Sequence, residues 1–287
     1  MVKLIYIFSL LLLTSLTYGQ EGDKRIFKDT KIINLHSVET IKKGRLDFRI
    51  GHKFGDLAGA AGGWSTFYGL ENAADVLIGF DYGITDNLLI GISRTKGTGR
   101  LRQNINGQMK YKLLEQDPDT GKPVSMTVHG MFSLSTLTTN PFVVDSDDFD
   151  KFIHRVIYHV QYIAATKIAH KLSLQINAGW TYRNIVVQGD KNDIVNLGGA
   201  LKYQFSKAFA VIVEGTVPFS SLRTAENGYY PPIGIGFEWE TGGGHLFQMN
   251  LTNARGIVET DYIPNSRSNW ADGEFRLGFT ISRLFTI

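Results

Sequence analysis

The chain has no cysteine among its 287 residues. That excludes disulfides, thiolate metal sites, a cysteine nucleophile and a lipidated cysteine anchor. It also lacks a strong charge bias, because 30 Lys and Arg against 27 Asp and Glu leave a net +3. With no basic run, nucleic acid is not expected as a partner. Beyond the first residues there is no long apolar stretch, so no helical membrane span is expected. The early apolar run, Leu4 to Leu16, follows Lys3 and precedes Thr17-Tyr18-Gly19. A basic residue, a short apolar core and small residues at the cut site define a secretory signal peptide over 1–19. The mature chain is expected to begin at Gln20. The run is too short for a ~20-residue span.

What the sequence has is alternation. Val124-Ser125-Met126-Thr127-Val128-His129 continues as Gly130-Met131-Phe132-Ser133-Leu134-Ser135. A strand with two such faces separates an apolar environment from a wet one. Many of them behind an export signal describe a transmembrane β-barrel of a bacterial outer membrane. About twelve strands can be read: 44–52, 76–84, 88–95, 104–115, 124–137, 153–167, 172–185, 194–205, 209–218, 232–241, 245–253 and 273–285. Short turns at 85–87, 117–122, 169–171, 206–208 and 242–244 alternate with longer links. Long external loops and short periplasmic turns are the outer-membrane pattern. An even strand count then puts both termini on the periplasmic side. A soluble sandwich would instead turn the apolar face inward.

Parity assigns Leu46, Phe48 and Ile50, then Ile78, Phe80 and Tyr82, then Ile233, Ile235, Phe237 and Trp239 to lipid. Aromatics at the strand ends fit two interfacial belts. The last strand, Phe275 to Ile287, looks like the C-terminal signal read by the barrel-assembly machinery, although Phe285 is not terminal. Residues 20–43 precede strand one and read as a periplasmic N-terminal segment. Within it, Ile32-Ile33-Asn34-Leu35 is a candidate lumen plug.

The run Leu46-Asp47-Phe48-Arg49-Ile50-Gly51-His52-Lys53-Phe54-Gly55 resembles the opening of an uncharacterised outer-membrane β-barrel family of Bacteroidota-type bacteria, a domain of unknown function. So do Tyr229-Tyr230-Pro231-Pro232-Ile233-Gly234 and Gly278-Phe279-Thr280-Ile281-Ser282-Arg283. The resemblance implies a barrel and an outer-membrane address. It transfers no activity and no catalytic residue.

The opposite parity gives the lumen. Glu214, Glu238 and Glu240 lie on strands nine and ten, and Lys110 and Lys112 on strand four. In a closed twelve-strand barrel, strands four and ten are opposite. The charges are therefore expected to face each other, either as a channel constriction with a transverse field or as a salt-bridge plug. A twelve-strand lumen of about 15 Å leaves both readings open. Arg45, Arg49 and Arg276 sit on the closing strands one and twelve and form a candidate anion cluster, or pair with nearby acids. Arg155, Arg183 and His159 are further lumen candidates.

Enzyme signals are poor. His129 shares one strand with Ser133 and Ser135, and no third group orients it. Glu238 and Glu240 are i, i+2, about 7 Å apart by strand rise. The seven histidines have no metal-ligand spacing. The expectation is a narrow porin-like channel for small polar solutes, with no enzyme activity, cofactor or metal. The alternatives are an occluded barrel that docks periplasmic or surface partners and, less favoured, an outer-membrane hydrolase.

Overall fold

The structure is a computed structural model and describes residues 25–140, 142, 149–241 and 243–287. The expected signal peptide and Gln20 lie outside the described residues. Twelve antiparallel strands close into one barrel in sequential order. They are β1 (Arg45–Phe54), β2 (Ala73–Gly83), β3 (Leu88–Thr95), β4 (Asn104–Leu114), β5 (Ser125–Ser135) and β6 (Val156–Ala169). They continue as β7 (Leu172–Arg183), β8 (Asp193–Gln204), β9 (Phe209–Phe219), β10 (Ile233–Glu240), β11 (His245–Thr252) and β12 (Arg276–Thr286). The barrel closes where β1 pairs with β12, from Arg45 against Thr286 to Lys53 against Gly278. Every backbone edge is thereby satisfied, which a membrane requires of a spanning sheet.

Burial follows the two-residue period, and its sense is inverted relative to a soluble protein. On the outer face Ile92, Met109, Tyr162 and Met249 are each more than half exposed. On the inner face Lys110, His129, Lys202, Glu214 and Glu238 are buried. Burying one large apolar side chain is worth roughly 1.5–3 kcal/mol, so an apolar band of this extent requires lipid around it. At the short-turn end, Phe209 stacks on Phe205 and Trp239, and Trp239 packs on Phe247. At the other end Trp180 packs on Tyr182.

The interior is filled by two pieces of the chain itself. Residues 26–39 are buried throughout. They form a hairpin whose arms join by a bridge between Lys31 and His36. Its tip is closed by the Ile32 amide donating to the Leu35 carbonyl at 2.7 Å. Ile26, Phe27, Ile32, Ile33, Leu35 and Val38 pack with the wall residues Ile163, Ala165, Ala200 and Ile212. The wall makes room at its glycines. A Cβ on Gly198 would lie 2.9 Å from Leu35, and one on Gly234 or Gly236 would lie 3.0 Å from Ile33. The N-terminal segment thus lies inside the barrel over far more than Ile32 to Leu35, and residues 26–39 do not hang below it as a tail. The chain leaves the lumen over Gly83, where a Cβ would meet the Ile41 and Lys42 carbonyls. It then turns into β1 at Gly44, whose φ of 72° suits glycine.

The second piece enters from the long-loop end. Between β11 and β12 the chain dips inward and forms a short helix, α1 (Glu259–Asn265). Glu259 through Pro264 are buried. Tyr262 and Ile263 pack on Ala254 and Ile194. Ile257 and Val258 pack on Leu77 and Met131.

Candidate functional site

The lumen is the candidate site, and its charged walls grip the hairpin rather than face each other across open space. On the basic wall, Lys110 Nζ donates to the carbonyls of Thr30, Ser37 and Glu39. Lys112 Nζ lies 3.4 Å from Glu39 Oε2. On the acidic wall, Glu214 accepts from three successive backbone amides at the hairpin tip. Ile33 donates at 3.1 Å, Asn34 at 2.6 Å and Leu35 at 3.3 Å. Convergent amides make a nest for an anion, here a wall carboxylate. Glu240 pairs with Arg25 at 2.9 Å and Lys28 at 3.1 Å near the short-turn end. Glu238 is buried, and its Oε1 has no hydrogen-bond partner among the described residues.

Strands four and ten do stand opposite, six steps apart either way around the closed order. The expected direct confrontation is replaced by two half-contacts with the same inserted backbone. Backbone carbonyls satisfy Lys110 and the Glu39 carboxylate meets Lys112, while backbone amides satisfy Glu214 and the Arg25 and Lys28 cations meet Glu240. A cavity of about 20 Å³ between the hairpin and β2–β5 is lined by Lys31, His36, Arg49, Asp81 and Gln108, among others. Such a volume holds about one water molecule.

The proposed arginine cluster does not form. Arg49 is buried and clasps Asp29 of the hairpin through both terminal nitrogens, and it also reaches Asp47 at 2.8 Å. Arg276 lies nearer the long-loop end and donates to the Asn253 carbonyl at 2.6 Å and to Ser268 at 3.2 Å. Arg45 is exposed at the first residue of β1. Strand parity continues past the point where the wall begins to enclose a lumen. Arg155 fails for the same reason. It lies in a 3-10 turn (Phe152–Arg155) ahead of β6, donates to the Ser135 carbonyl at 2.8 Å and covers the Phe152 ring.

Arg183 serves the long-loop end. It donates to Asp190 at 2.8 Å, and Arg223 holds both oxygens of that same carboxylate at 2.8 Å. Arg223 Nε also donates to the Pro264 carbonyl of α1. Burial would raise the Asp190 carboxyl, but the hydrogen bonds from Arg223 and Arg183 outweigh it and hold it well below the usual carboxylate range. These contacts latch three loops together.

Further residues matter that parity alone did not single out. Lys53 bonds Asn34 Oδ1 at 2.5 Å and the Gly256 carbonyl at 2.6 Å, joining both inserted pieces. Asp75 accepts from Ile257 and Gly97. Asp261 accepts from Thr98 and Gly99. His159 is buried and bonds Thr181 at 2.8 Å. Ser133 is engaged by Asn106 and Thr260, not by His129.

The chain belongs to a family described as a membrane bound beta barrel domain (DUF5777), whose pattern matches residues 27–285. The match begins inside the hairpin, so the inserted segment is part of the family's unit. No curated protein matches the sequence. Among solved structures, the NanC porin is 8% identical with a TM-score of 0.49, over 84% of this chain and 99% of that one. The KdgM porin is 7% identical with a TM-score of 0.48, over 85% and 99%. The COG4313 outer membrane channel from Pseudomonas putida F1 is 12% identical with a TM-score of 0.48, over 86% and 98%.

Proposed function

We propose that this protein is a porin-like barrel of a bacterial outer membrane, held closed by its own N-terminal hairpin. Displacement of the hairpin opens a narrow polar path for small solutes. The observation that carries this reading is the charged wall itself. Lys110, Lys112, Arg49, Glu214 and Glu240 all bind hairpin groups. Once the hairpin leaves, Lys110 and Lys112 on β4 face Glu214 and Glu240 on β9 and β10 across the lumen, base against acid, as in a selective constriction. The short turns and both termini face the periplasm in this reading. A cleaved leader delivers the chain, and the C-terminal strand from Phe275 presents it to the assembly machinery. No catalytic role is assigned to the lumen histidines.

The test is solute uptake by proteoliposomes. The full-length barrel is compared with a variant lacking residues 26–39, both checked for folding by heat-dependent gel migration. We expect slow uptake of small charged and neutral sugars by the full chain and at least a tenfold faster rate in the deletion. Equal rates from two well-folded proteins would sink the reading. If the folded deletion stays impermeable, the barrel is an occluded docking scaffold instead.

A further inference from the structure

We propose that His36, His129 and Glu259 form a binding site for a divalent transition-metal ion of the zinc class. It lies where the hairpin, the β5 wall and α1 meet. Each residue comes from a different part of the chain, and the three donor atoms lie within 4.8 Å of one another. All three residues are buried. His36 Nε2 and Glu259 Oε2 are 3.7 Å apart. Two ligands of one tetrahedral ion, each ~2.1 Å from it, stand ~3.4 Å apart. The His36 and His129 rings now stack at 3.9 Å between centroids with their planes at 34°, and binding the ion requires them to swing apart.

A second, independent observation points to a ligand. Glu259 Oε2 is buried without a hydrogen-bond partner among the described residues. A buried carboxylate oxygen left without a donor is costly, and a cation relieves it. His129 is already oriented as a ligand. Its Nε2 lies 3.2 Å from Gln108 Oε1, and the Gln108 amide nitrogen is held by Asp81, so Nε2 carries the proton. Nδ1 therefore keeps its lone pair, which the Gln161 amide approaches at 3.0 Å. A ring proton held by an outer acceptor is the arrangement that metal-binding histidines use. An ion would take the place of the Gln161 amide against Nδ1. Two imidazoles and one carboxylate suit zinc, cobalt or iron(II) rather than calcium or magnesium, which seek more oxygens.

Lys31 opposes the ion. Lys31 Nζ sits 3.8 Å from Glu259 Oε2 and competes for the same oxygen. The occupied site would pin the hairpin to α1, joining the two inserted pieces through one ion. The inference does not depend on the hairpin leaving the lumen.

Because the cluster is sealed, the test folds the full-length chain into detergent with Co²⁺ or Zn²⁺ present and then washes it with a chelator. Metal content is measured by elemental mass spectrometry, and coordination by the visible absorption of cobalt. We expect about one retained ion per barrel, as for structural sites. Retention should fall at least tenfold in His36→Ala, His129→Ala and Glu259→Gln. It should rise in Lys31→Gln, which keeps the donors and removes the competitor, and stay unchanged in His159→Ala. Heat-dependent gel migration confirms folding for each. No retained ion in either the wild type or Lys31→Gln overturns the proposal. So does retention that survives His36→Ala and Glu259→Gln together.

Discussion

The two inserted pieces fill one lumen by different means. The hairpin of residues 26–39 runs on into the wall at Gly44, packs on Ile163, Ala165, Ala200 and Ile212, and is held by its backbone at Lys110 and Glu214. The loop between β11 and β12 is anchored by a strand at each end. It is held by packing of Tyr262 and Ile263 and by loop-to-loop bonds at Asp190, Arg223 and Asp261. In the proposed function the hairpin leaves as a unit, with water replacing its polar contacts at the cost of exposing its six apolar side chains. A piece tethered twice and packed on apolar side chains can only unfold in place. On that proposal the hairpin moves and the loop stays in place.

The largest expected effect that would break this comparison is at Arg49. Arg49→Ala leaves Asp29 and Asp47 buried beside each other without their cation, a loss on the order of 3–5 kcal/mol. Hydrogen exchange should show the hairpin opening while β5–β8 stay protected. Next is Glu214→Gln, which removes the carboxylate that holds three tip amides. The glutamine keeps an oxygen that can accept but loses the charge, an expected cost of about 1.5–3 kcal/mol in all. Exchange should quicken at Ile33, Asn34 and Leu35 far more than in α1, and equal quickening in both would contradict the separation. Gly198→Val tests the packing side. Its new methyls meet Leu35, and overpacking costs about 1–3 kcal/mol. Protease access to the hairpin should increase while the heat-resistant barrel persists.

The smallest effect is on the loop side. Asp190→Asn weakens the latch by about 1–2 kcal/mol and should loosen residues 184–192 and 220–232 without freeing the hairpin. The pH dependence has a definite sign. The Asp190 carboxyl is held below its usual value, because its bonds to Arg223 and Arg183 outweigh burial. A carboxylate depressed on folding stabilises above its unfolded pKa of ~3.9, and that stability fades only as pH falls through the lower folded value. Limited proteolysis of these loops should therefore be the same at pH 7 and pH 5. Marked loosening at pH 5 would mean that another group holds the latch.

The barrel wall was legible in the sequence because lipid and lumen impose a two-residue period on every strand. All twelve strands were found within a few residues of their ends. Lumen residues such as Lys110, Glu214 and Glu238 were legible as inward-facing for the same reason. Their partners were not, because a hairpin has no period of its own and its contacts come from strands far along the chain. Only the apolar run at Ile32 to Leu35 hinted at insertion. Arg45 and Arg155 were misplaced because parity continues past a strand end while enclosure does not. His36, His129 and Glu259 share no spacing at all, so only folding brings them together.

The account's central claim is that the hairpin is the closure and its withdrawal is the opening. The absence of cysteine makes a direct test simple. Ile33→Cys with Gly236→Cys places two thiols where the hairpin tip meets β10, at a site where a Cβ added to Gly236 would lie 3.0 Å from the Ile33 side chain. Planar-bilayer recordings of this double variant should show silence while the pair is oxidised and opening events after reduction. Conductance that is the same in the oxidised and reduced barrels would contradict the account.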